Sequence, residues 1–73
     1  MKTFVAYTKN GDRIQHIGDY TTKEECIERL IAEARESMND CDSIEDCRYG
    51  LEMRGYYLLG YSCMYVYFKE VEV

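Results

Sequence analysis

Hydrophobic residues recur with two different periods along this 73-residue chain, and the changes of period divide it into elements. Residues 2–8 and 13–17 are β-prone and flank Lys9-Asn10-Gly11-Asp12. Asn-Gly accepts the positive φ angles of a type I′ turn, so the two stretches predict a hairpin. A two-residue loop sets Tyr7 opposite Ile14 and Val5 opposite His16, with all four on one face. The period then lengthens. Ile27, Leu30, Ile31, Ala34 and Met38 fall at i, i+3, i+4, i+7 and i+11, with Cys26 at their edge, which is the apolar stripe of a helix lying on a sheet. Thr21 with Glu24, or Thr22 with Glu25, supplies a capping box at its start. Asn39-Asp40 is expected to close it after about 18 residues.

Alternation returns at Cys47, Tyr49, Leu51 and Met53, which predicts a third strand. A rival reading caps a short second helix at Ser43, with Ile44, Cys47 and Leu51 inward and Gly55 ending it. Gly50 and the alternation favour the strand. Gly55 and Gly60 bracket a turn containing Tyr56-Tyr57-Leu58-Leu59. The last strand, 61–71, places Met64, Val66 and Phe68 on one face and Cys63, Tyr65 and Tyr67 on the other. The expected fold is a single α+β domain over 1–73, in the order β-β-α-β-β. It has an antiparallel sheet of about four strands and one amphipathic helix packed across it. Because both faces of the last strand are apolar, one is covered by the helix and the other is expected to meet something else.

Composition narrows the function classes. No apolar run approaches the 18 to 20 residues of a membrane span, and Met1-Lys2-Thr3-Phe4 leads into strand-like sequence, not a signal peptide. The expected setting is the cytoplasm. Fourteen acidic residues against nine basic give a net charge of −5, which opposes direct binding to nucleic acid or an anionic membrane. Cys26, Cys41, Cys47 and Cys63 are separated by 14, 5 and 15 residues. Zinc sites usually pair ligands two to four residues apart, so reduced thiols fit better than zinc, even with His16 as a substitute ligand. No cofactor is expected. A metal or redox module using these cysteines is an alternative function.

Catalytic sets are hard to assemble. His16 is the one imidazole and sits in a hairpin strand, where a half-exposed side chain is the ordinary explanation. Asp40, Asp42, Glu45 and Asp46 lack the central glycine and terminal glutamate of a calcium loop. The expectation is a protein that is not an enzyme.

Charge and aromatic placement say more. Asp19 to Glu52 holds eleven acidic and four basic residues, a net of −7, concentrated on the predicted helix and the segment after it. Glu25, Glu28, Glu36 and Asp40 lie opposite the apolar stripe. Carboxylates three or four positions apart step along a helix by about 5 to 6 Å, a sparse array of the sign of duplex DNA. Solvation alone also accounts for an acidic face. Six of the eight tyrosines fall in the last 25 residues. Tyrosine is enriched at binding hot spots, although several must pack internally in so small a domain.

A short, acidic, tyrosine-rich single domain of this kind resembles the small inhibitors carried by phages and mobile elements, of the anti-CRISPR or anti-restriction type. The likeness lies in size, charge and architecture, and no motif matches residue for residue. The resemblance implies non-enzymatic inhibition, in which the protein clamps a nucleic-acid-binding protein or nuclease complex where its nucleic acid would lie. On this expectation Glu25, Glu28, Glu36, Asp40, Asp42 and Asp46 engage the partner's Lys and Arg, and Tyr56, Tyr57 and Tyr61 anchor nearby. The alternative of a structural domain, a homodimer through a free sheet face or edge, stands beside it.

Overall fold

Four antiparallel strands and two helices build the domain in the order β1 (Lys2–Asn10), β2 (Arg13–Tyr20), α1 (Lys23–Arg35), α2 (Ile44–Arg54), β3 (Tyr56–Leu58) and β4 (Met64–Glu72), and the strands lie side by side as β2-β1-β4-β3. The computed structural model describes residues 1–40, 42–60 and 64–73. Cys41, Tyr61 and Cys63 lie outside them, as does the expected start of the last strand at 61–63.

The α+β class and the four-stranded antiparallel sheet agree with the sequence reading, but a single helix does not. Residues 44–54 are helical where the alternation predicted a strand. Local chemistry explains the outcome. Ser43 Oγ accepts from the Asp46 N–H, Glu45 and Asp46 sit in the positive first turn, and Arg54 sits in the last. Gly55 closes the helix at φ +83°, in the left-handed region that glycine tolerates. Ile44, Cys47 and Leu51 point inward at i, i+3 and i+7, while Tyr49 and Met53 are 63% and 66% exposed. The third strand is instead Tyr56–Leu58, inside the segment expected to be a turn.

The first helix also ends earlier than expected, at Arg35 and not near Asn39. Ser37 and Met38 N–H groups bond back three residues, to Ala34 and Arg35 carbonyls, and tighten the chain out of the helix. Thr22 is the N-cap, its hydroxyl accepting from the Glu25 N–H. In the hairpin, Gly11 (φ +65°) and Asp12 form the loop, one residue beyond Asn10-Gly11. The register therefore moves by two: Tyr7 faces His16 and Lys9 faces Ile14. A bulge between Ala6 and Tyr7 then leaves Ile17 as the extra residue and sets Val5 opposite Asp19. An even shift keeps Val5, Tyr7, Ile14 and His16 on one face, as the expected register had them.

The core lies between the inner sheet face and the helices. Ala6 and Val66 from the sheet meet Cys26, Ile27, Leu30, Ile31 and Ala34 of α1, Cys47 and Leu51 of α2, and Leu59. Phe4 and Phe68 pack edge to face at 6.2 Å beside it. The helices run antiparallel. Lys23 Nζ donates to the Glu52 carbonyl at 3.2 Å near one end, and Glu28 pairs with Arg48 farther along.

Candidate binding surfaces

The helices cover one face of the sheet and leave the other open. Strand pairing puts His16, Tyr7, Tyr67 and Tyr56 in a single cross-strand row that spans all four strands on the open face. Ring contacts follow the row: Tyr7 and His16 are 5.8 Å apart, and Tyr7 stacks on Tyr67 at 5.1 Å with 17° between planes. Tyr65 leans on Tyr67 at 5.3 Å. The neighbouring row is Ile14, Lys9, Tyr65 and Leu58. Tyr56, Leu58 and Tyr65 line a shallow recess of about 320 Å³ at its β3 end. Burial, with Tyr65 and Tyr7 close by, holds the Tyr67 hydroxyl above its ordinary pKa.

Charge on this face has the opposite sign to the chain as a whole. Lys9 sits 5.7 Å from the Tyr65 ring, Lys69 5.8 Å from Tyr7, and Arg54 5.3 Å from Tyr56. Among the described strand residues on the face, Asp19 is the one carboxylate, and His16 Nε2 holds it at 2.8 Å.

The carboxylates gather on the helical layer. Glu24, Glu28 and Glu52 line a recess of about 220 Å³ between α1 and α2, with Ile27 at its side and Arg48 paired to Glu28. Glu25 is exposed in the first turn of α1, and Asp46 in the first turn of α2. Glu36 and Asp40 are exposed in the connection that leaves α1, so they do not continue a helical ridge of Glu25 and Glu28 as the sequence suggested. Five of the six acidic residues singled out from the sequence are thus exposed on the helices and their connection, but they are spread from the first turn of α1 to beyond its far end and form no regular array.

Asp42 is committed elsewhere. Its Oδ1 accepts from the Tyr57 hydroxyl at 3.1 Å and from the Gly60 N–H at 2.8 Å, tying the interhelical connection to the end of β3. Tyr57 turns inward against the core, unlike Tyr56, whose ring lies on the open face. The anchors expected beside the acidic residues therefore separate: Tyr56 lies across the sheet from them, Tyr57 is internal, and Tyr61 is outside the described residues. Asp42→Ala leaves the hydroxyl and the N–H without their acceptor. It is expected to cost about 1 to 3 kcal/mol in urea unfolding, with Tyr57→Phe costing less. A neutral Asp42→Ala would remove Asp42 from the scaffold.

Tyr7, Tyr67, Lys9 and Lys69 escaped the sequence reading as site residues. The alternation of Tyr65 and Tyr67 signalled a second apolar face, but the row needed the pairing of β1 with β4, which no local pattern encodes. Among the described residues no group of three or more His, Cys, Asp or Glu is placed to hold a metal ion, and no helix is long and apolar enough to cross a membrane. The chain matches no protein-family model, no curated protein and no solved structure.

Proposed function

We propose that this protein is a non-enzymatic inhibitor that docks on a basic nucleic-acid-binding protein, a nuclease complex of the kind countered by phage and mobile-element proteins, and occupies the surface where nucleic acid would lie. One observation carries the reading. Glu24, Glu25, Glu36, Asp40, Glu45, Asp46 and Glu52 are all exposed on the helical layer and its connection, and among the described residues none is ion-paired there. Solvated carboxylates on a firmly packed layer act at range on a basic partner. They speed encounter and set specificity, and they lose strength as salt rises.

Glu36, Asp40 and Glu52 allow a clean test. Glu36 and Glu52 lie at helix C-terminal ends, where a cation is tolerated by the helix dipole, and Asp40 is exposed in the connection outside both helices. Glu36→Lys/Asp40→Lys/Glu52→Lys moves the net charge from −5 to +1. The variant is expected to keep its melting temperature and to bind the partner roughly 10- to 100-fold more weakly at low salt. Undiminished binding would remove the acidic layer from the mechanism.

A further inference from the structure

We propose that the open sheet face binds single-stranded nucleic acid, with a base stacking on the exposed Tyr56 ring, further bases packing on the outward edges of the Tyr7–Tyr67 stack, and phosphates held by Lys9, Lys69 and Arg54. Sequence-tolerant binding of single strands needs stacking rings and cations that follow a backbone, and the face supplies both. Lys69 stands opposite Val5, four residues along β1 from Lys9, so the two lysines are rooted on either side of the tyrosine row, about 13 Å apart along the strands. Arg54 reaches the same row at its β3 end, 5.3 Å from the Tyr56 ring.

The net charge of −5 does not decide against this ligand locally. Ten of the fourteen carboxylates sit on the helices and the connection between them, and Glu70 and Glu72 of β4 are paired with Lys2 and the N-terminal ammonium; exposed charges more than about 8 Å apart are largely screened at physiological salt. A duplex fits poorly, because its bases are already stacked inside and, among the described residues, no element projects from the face to enter a groove. A second copy fits poorly as well. Two such faces would bring Lys9, Lys69 and Arg54 together, with Asp19 already engaged by His16.

Fluorescence anisotropy of labelled oligothymidylate and oligouridylate, about 12 nucleotides long, tests the proposal on the whole protein. Without tryptophan in the chain, quenching of intrinsic tyrosine emission reports stacking directly. Three phosphate contacts predict roughly 15- to 20-fold weaker binding on going from 50 to 200 mM salt. Lys9→Glu/Lys69→Glu should abolish binding with the fold intact by circular dichroism, and Tyr56→Ala should weaken it about 5-fold or more. Glu36→Lys/Asp40→Lys/Glu52→Lys should retain it, which separates this surface from the protein-docking layer. No anisotropy change for the native chain at low salt would overturn the proposal. So would binding that survives Lys9→Glu/Lys69→Glu, preference for an acidic peptide over either oligonucleotide, or a dimer that oligonucleotide does not dissociate.

Discussion

Leu51→Ala is expected to destabilise the domain by about 3 to 5 kcal/mol, while Tyr49→Ala and Met53→Ala each stay within about 0.5 kcal/mol. Leu51 is fully buried between α2 and the rest of the core, so truncation loses its transfer energy and leaves a cavity. Tyr49 and Met53 project into solvent from the same helix. The contrast separates the helix from a strand, because a strand with Leu51 inward would bury Tyr49 and Met53 beside it. Urea unfolding of the three variants reads it directly. A chain of this size has about 4 to 11 kcal/mol to lose, so Leu51→Ala sits near the edge of folding. Equal losses at positions 49, 51 and 53 would contradict the helix.

Alkaline unfolding is the second large effect. Burial pushes the Cys26 and Cys47 thiols from 9.0 up to about 11, with Arg48 pulling Cys47 slightly down and Asp42 pushing it up. Burial, then the hydrogen bond to Asp42, pushes the Tyr57 hydroxyl from 10.0 to about 12. Each folded-state pKa is raised, so the native chain holds these protons more tightly than the unfolded chain does. Stability is therefore fully present below about pH 9 and falls as pH rises through about 11. Both buried thiols contribute to the fall, in a domain whose whole stability is only about 4 to 11 kcal/mol. Circular dichroism should show cooperative unfolding in that window, shifted to higher pH in Cys26→Ala/Cys47→Ala. Native signal persisting unchanged beyond pH 12 would show that the thiols are not held as buried, neutral groups.

Strong local signals carried most of the fold. The hairpin around Gly11, the i, i+3, i+4 stripe of α1 and the alternation of Met64, Val66 and Phe68 each depend on neighbours in sequence, and each element formed, although the hairpin loop is Gly11-Asp12 and not the expected Asn10-Gly11. The second helix was misread because Cys47 and Leu51, four apart, satisfy both periods. Tyr49 and Met53 are apolar by type and yet solvent-facing. The decisive residues were Ser43 and Gly55, a cap and a stop whose weight exceeded that of the alternation. Hairpin register was lost by one loop position and then by a bulge, which only the completed sheet defines. The candidate surfaces divided in the same way. Exposure of Glu25, Asp46 and their neighbours followed from their charge, but the commitment of Asp42 to Tyr57 and Gly60 did not, because those partners lie 15 and 18 residues away.

Under the two proposals taken together, the protein engages a nucleoprotein complex, with carboxylates for the complex's basic protein surface and tyrosines and lysines for an exposed strand. On the proposed reading, the acidic layer takes the place of nucleic acid on the partner. Competition tests it most directly. The immobilised protein is loaded with a bacterial lysate at low salt and then washed with duplex DNA. The account predicts release of a nucleic-acid-binding protein that Glu36→Lys/Asp40→Lys/Glu52→Lys never retained. A partner held equally by the native and reversed chains, and unmoved by excess duplex, would contradict it.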